Sequence, residues 1–185
     1  MADDLRLDEA TRPRAPRHPN AERTASGAAS AQMLVSVHAH LRSELAQIRN
    51  VIAEVAEGRS TAAVARSLIN DMSMRQNYWS LGAFCATYCR VVTMHHTNED
   101  VSLFPSLKLR DAELGPVIDR LAEEHEVVAE VLTRIDLALV AMVTGPDGLT
   151  AVKAEVDLLA DVLLSHLAYE EDELIGPITR LGIDI

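Results

Sequence analysis

Aromatic side chains are scarce in this chain: one Trp, three Tyr and two Phe make up 3% of 185 residues. A core without large rings must be aliphatic, and hydrophobic residues still reach 48%. That core is made of Leu, Val, Ile and Ala, and few aromatics with many Ala, Leu and Glu favour helix over sheet. Cysteine is nearly missing as well. Cys85 and Cys89 are the only two, four residues apart on one predicted helix. That spacing makes a poor disulfide and no disulfide framework, so a reducing cytoplasm is the location it predicts. Positive charge is in deficit: 17 Lys and Arg against 28 Asp and Glu leave a net charge of −11. Nucleic acid and anionic membrane surfaces are thereby disfavoured as partners, because like charges repel. No segment is apolar for long enough to span a bilayer. The charged start "MADDLRLDEATRPRAPRHPN" lacks the apolar run of a signal peptide.

Proline is absent between Pro19 and Pro105. Residues 1–27 mix Pro, Arg, Ala and Asp without periodicity and read as a disordered, solvated N-terminal tail. Residues 28–185 read as one domain, large enough to bury a real core. Four long helical patterns follow the tail. They cover about 30–57, ended by Gly58, and about 74–103, ended near Pro105; then Pro116 to "GPDG" at 145–148, and about 149–175, ended by Gly176-Pro177. A short extra helix is predicted over 59–71, capped by Ser60 or Thr61. Each long segment carries an apolar seam at steps of three and four residues, such as Leu34, Leu41, Leu45, Ile48 and Ile52 in the first. Four such seams predict an all-α, up-down-up-down four-helix bundle.

Every seam is interrupted by a histidine: His38, His95, His125 and His166. Two seams add a glutamate one turn later, Glu99 and Glu170, on the same face as the histidine before it. His38 and His125 lie about eight or nine residues after a predicted helix start, and His95 and His166 about as far before a helix end. In an up-down bundle these positions share one layer, roughly 12 Å below one end at a rise of about 1.5 Å per residue. A buried carboxylate is costly unless paired or metal-bound. Mixed nitrogen and oxygen donors suit iron, manganese, cobalt or zinc rather than calcium or magnesium. Six donors overfill a four-ligand zinc site, so two metals bridged by Glu99 and Glu170 fit better. The competing reading is a metal-free network of core histidines bonded to the two glutamates. His40 falls on the opposite face from His38, and His18 lies in the tail; both read as solvated. His96 is one step off its seam, either a rim residue or a further ligand.

The strings "VHAHLRSEL" around His38, "HHTNEDVSLFP" from His95, "EEHEVV" around His125 and "HLAYEEDELIGP" from His166 come in order, each on its own helix. Together they resemble the hemerythrin-like, or HHE cation-binding, family over about residues 30–178. The resemblance implies two non-haem iron ions joined through an oxo or hydroxo bridge. It places His38 and His95 on one iron, His125 and His166 on the other, and Glu99 and Glu170 between them. In one iron-sensing branch the residue after the second-helix histidine is a glutamate ligand, and His96 occupies that place here. The chain departs from the oxygen-carrying branch at Leu121, where those proteins have a histidine. Glu170 follows His166 by four residues, as in the HHE group, rather than by five as in the carriers.

A di-metal site with an open position binds and activates small oxidants such as O2, hydrogen peroxide or NO. Tyr88, two turns before His95, is either a residue bordering that cavity or a core aromatic. The expected function is oxidant chemistry in oxidative or nitrosative stress, by peroxide decomposition or NO reduction with a redox partner. The alternatives are a sensor of O2, NO or iron, and a purely structural metal bundle. No catalytic side chain is identified beyond the ligands.

Overall fold

The computed structural model describes residues 5–57, 81–142 and 148–183. The architecture is all-helical, with no strand among the described residues. Helix α1 spans Ala25–Ala56. Helix α2 spans Leu81–Asn98 and continues through a π-helical turn, Glu99–Leu103, into an α-helical segment Phe104–Arg110. Helix α3 spans Gly115–Met142 and α4 spans Gly148–Leu181. Helix α4 packs along both α1 and α3, and α3 also meets α2. The short helix expected over 59–71 and most of the "GPDG" turn lie outside the described residues.

Helix α1 starts earlier than its apolar pattern suggests, because Thr24 caps it. The Thr24 hydroxyl accepts the Gly27 N–H at 3.0 Å and donates to the Thr179 carbonyl at 3.0 Å. That cap ties the start of α1 to the last turns of α4, and Gly27 sits at the crossing. A Cβ there would stand 2.4 Å from the Ile178 carbonyl oxygen and 2.7 Å from that of Thr179.

Two expected helix ends are overrun. Pro105 does not stop α2, because the π turn absorbs it. The Phe104 N–H reaches back five residues to the Glu99 carbonyl, and Pro105 then falls in the first turn of the resumed α-helix. A proline is tolerated there, its missing N–H being one that would lack a helical partner anyway. Gly176-Pro177 does not stop α4 either. A side chain on the residue before proline normally clashes with the proline ring in helical backbone, and Gly176 has none. Leu174, Ile178 and Ile183 are all buried. Their burial, about 2 kcal/mol each, outweighs the roughly 3 kcal/mol that an interior proline costs. The helix closes at Gly182, in the left-handed region with φ 62°.

The N-terminal segment also differs from its expectation. Residues 5–24 lie against the bundle: Leu5 and Leu7 pack on the aliphatic core and Ala15 is buried. The Ala15 N–H donates to Glu173 at 2.6 Å, and Arg14 and Arg17 reach the same carboxylate. These contacts are polar and distant in sequence, so they leave no periodic trace in the segment itself.

Two apolar clusters fill the interior. One holds Leu41, Val92, Val128 and Leu163, and the other Leu34, Leu103, Leu121 and Leu174. The histidines and glutamates of all four helices fall between these pairs. They form a single polar layer with aliphatic packing on both sides.

Gly27→Ala is expected to destabilise the protein by about 1–3 kcal/mol, the usual cost of overpacking. Urea unfolding measures it; an unchanged midpoint would show that the crossing of α1 and α4 is not tight.

Candidate metal centre

Each helix brings part of the polar layer. Helix α1 supplies His38, α2 supplies His95, His96 and Glu99, α3 supplies His125, and α4 supplies His166 and Glu170. All are buried except His95, whose side chain is 11% exposed. Their donor atoms sort into two groups that could each hold a metal ion. One is His38, His95, Glu99 and Glu170; the other is His96, His125 and His166, with donor atoms in each group within 4.8 Å of one another.

The two carboxylates touch both groups. Glu99 Oε1 lies 3.2 Å from His95 Nε2, and its Oε2 lies 3.6 Å from His125 Nε2. Glu170 Oε2 lies 3.5 Å from His38 Nε2 and 3.8 Å from His166 Nε2. The π turn begins at Glu99, and such widened turns often mark functional sites. It lets the consecutive residues Leu103 and Phe104 both enter the core. Phe104 then stacks on His125 at 5.3 Å between ring centroids, and His96 stacks on the same imidazole at 4.1 Å.

Three histidines are held from outside the layer through Nδ1. His38 Nδ1 pairs with Glu171 at 2.9 Å, His125 Nδ1 with Asp100 at 2.9 Å and His166 Nδ1 with Glu124 at 3.2 Å. A carboxylate on Nδ1 fixes the ring and leaves Nε2 as the donor toward a metal. Apart from Nε2 of His38 and His95, which pair with each other at 3.0 Å, the inner atoms have no hydrogen-bond partner. This holds for Nε2 of His96, His125 and His166 and for all four oxygens of Glu99 and Glu170. Each unpartnered buried polar group costs about 1–3 kcal/mol, so a self-satisfied polar network does not describe this layer. Orphaned nitrogen and oxygen donors converging on two points are what a pair of transition-metal ions fits.

The family model of the hemerythrin HHE cation-binding domain matches residues 29–177. The chain belongs to this family. Among curated proteins and solved structures there is no significant match. This hemerythrin-domain protein is metal-binding, and iron is the metal that its family implies. No helix among the described residues is long and apolar enough to cross a membrane.

Electrostatics in the hemerythrin layer match that role. Burial lowers the histidines, His38 to about 4, His95 to about 3 and His125 to about 2, with His96 and His166 also pushed down. The imidazoles are therefore neutral, the form that binds metal. Burial drives the carboxyls the other way: Glu170 rises to about 8, and Glu99 is also pushed well up, by burial first and then by the charge of Glu170. A cation beside two such carboxyls is what would let them ionise. Outside the layer the balance reverses at Glu124. Burial pushes it up, but hydrogen bonds from His166 and Arg12 outweigh this and hold it below the ordinary range.

The remaining sequence candidates lie elsewhere. Tyr88 is buried in the aliphatic cluster and its hydroxyl donates to the Leu41 carbonyl at 3.0 Å. His40 is half exposed and meets Glu44 at 3.2 Å, and His18 is exposed. Asp100, Glu124 and Glu171 escaped the sequence reading. Each adjoins a layer residue in sequence, which was a usable signal. Each nonetheless serves a histidine on a different helix, which spacing does not reveal.

Metal loading near neutral pH is expected to release protons. Glu170 has a pKa of about 8 in the fold against an ordinary value of 4.5. Between those values the metal-free fold keeps this proton and metal expels it; above about 8 Glu170 has little left to give, and Glu99, also raised, is the remaining source. Calorimetry in buffers of differing ionisation enthalpy counts the protons. No release at pH 7, or an amount that stays constant as pH rises past Glu170, would contradict the burial described here.

Proposed function

We propose that this protein is a non-haem di-iron protein that binds and reacts with a small oxidant, hydrogen peroxide, O2 or NO. Its setting is oxidative or nitrosative stress in the cytoplasm, with a redox partner supplying electrons. His38 and His95 hold one iron, His96, His125 and His166 hold the other, and Glu99 and Glu170 bridge the two, within an up-down-up-down bundle. The observation that carries this reading is the pair of buried carboxylates, each within reach of histidines from both groups and none of whose oxygens has a hydrogen-bond partner.

When bound, paired iron supplies a redox-active Lewis acid for the oxidant. The chain's own residues do the rest. Asp100, Glu124 and Glu171 orient three imidazoles, so the donors need little rearrangement. Leu34, Leu103 and Leu121 on one side, and Leu41, Val92 and Val128 on the other, keep the layer dry. The donor sets are unequal, with two imidazoles on one side and three on the other. The His38–His95 side therefore has more free positions for an exogenous ligand. His95 is also the most exposed of the seven side chains, which puts the approach of a small molecule on its side. His96 supplies the imidazole that Leu121 does not.

Protein loaded with iron is expected to carry two ions per chain, one for each donor group, with charge-transfer absorption of coupled ferric ions. His166→Ala and Glu99→Ala lower the iron content, while His40→Ala leaves it intact. Many equivalents of peroxide or NO consumed per chain would support turnover. Metal retained without any response to peroxide, O2 or NO would sink the oxidant reading, and binding without turnover would favour sensing.

A further inference from the structure

Residues 5–24 precede the stretch that matches the family, 29–177, yet one of them reaches the outer side of the metal layer. Arg12 Nε donates to Glu124 Oε1 at 2.8 Å and its Nη2 donates to Glu124 Oε2 at 2.9 Å, a two-pronged pair. Glu124 Oε2 in turn meets His166 Nδ1 at 3.2 Å. On the far side of that ring, Nε2 has no partner and belongs to the group with His96 and His125. A continuous chain of contacts thus runs from the N-terminal segment to one donor group.

The other group has a matching chain built within the bundle. Arg42 of α1 pairs with Glu171 at 2.6 Å, and Glu171 meets His38 Nδ1 at 2.9 Å. The two halves share one plan, arginine to carboxylate to imidazole; Glu124 also meets Arg120 of α3 at 3.3 Å, but its two-pronged partner comes from outside the bundle. The imported pair is also the drier. Arg12 and Glu124 side chains are 8% and 2% exposed, against 31% and 22% for Arg42 and Glu171. A charge-assisted bond in a drier setting couples more strongly.

The segment is latched on both sides of Arg12. The guanidinium lies 4.6 Å from the centroid of the Tyr169 ring, whose hydroxyl donates to the Pro13 carbonyl at 2.8 Å. Before it, Arg120 of α3 donates to the Asp8 carbonyl at 2.8 Å. After it, Ala15, Arg14 and Arg17 converge on Glu173, which is fully buried.

We propose that the N-terminal segment is a strap that completes one half of the metal centre. Arg12 is a positioning residue that fixes Glu124, and through it His166, so that the strap governs the ion at His96, His125 and His166. The ion at His38 and His95 answers instead to Arg42. This rests on the two-metal reading above.

The test uses the full chain loaded with iron. Iron per chain, the time course of release to excess chelator, and the reduction potentials are measured for wild type, Arg12→Gln, Arg12→Lys and Arg42→Gln. Lost carboxylate–histidine support typically weakens metal binding about 10- to 100-fold. Arg12→Gln is expected to speed release of one ion by about that factor and shift one potential, leaving the other ion unchanged. Arg42→Gln is expected to act on the other ion. Arg12→Lys restores part of the effect, because it keeps the charge and loses the two-pronged contact. Unchanged release and potentials in Arg12→Gln overturn the proposal. So does equal acceleration of both ions with a lower melting temperature of the metal-free protein, which marks a role in stability alone. A wild-type protein that holds one ion per chain overturns the two-metal reading instead, and the strap's selectivity with it.

Discussion

Two carboxylates buried among five imidazoles set the terms for the rest of this molecule. An ionised carboxylate in an apolar interior is expensive, and neutral histidines do not offset its charge. The layer is therefore poorly suited to an interior without cations and well suited to one with them. Its surroundings follow from that. Aliphatic packing on both sides keeps water out and strengthens every electrostatic contact within. Asp100, Glu124 and Glu171 stand one step further out, where they orient imidazoles without crowding the donors. The π turn at Glu99 lets one helix present two histidines and a carboxylate to the layer and still bury Leu103 and Phe104 directly after it.

Much of this was legible in the sequence because the helices are long and their seams regular. One polar interruption per seam at matching heights is a pattern that three-four periodicity makes visible. The inward placement of His38, His95, His125, His166, Glu99 and Glu170 follows from that periodicity alone. Helix ends were read less well, since proline was taken as a stop. At Pro105 a widened turn took up the missing hydrogen bond, and at Pro177 the absent side chain of Gly176 removed the clash. Both are local accommodations that residue preference does not encode. His96 stood a step off its seam, and its stacking on His125 is a contact between helices that spacing within one helix does not encode. The docking of residues 5–24 was invisible for a different reason. It depends on single polar contacts to residues more than a hundred positions away, not on a repeating pattern.

The two donor groups both lie within reach of Glu99 and Glu170 but are not equivalent. They differ in imidazole number, in exposure and in the origin of the arginine that steadies them. Membership in the hemerythrin HHE family accounts for the layer itself. The asymmetry comes from this chain's own features: Leu121, His96, and an arginine carried in from beyond the family's boundary.

The latch at Glu173 also bears on the order of assembly. Arg14 and its partner Glu173 are separated by 159 positions. In a chain made from its N-terminus, the strap precedes the bundle, and Glu173 on α4 emerges only after α1, α2 and α3. Until then its grip is on α3 alone, through Arg12 on Glu124 and Arg120 on the Asp8 carbonyl. His166 and Glu170 stand on that same helix as Glu173, so the last donors of the layer and the strap's buried anchor arrive together.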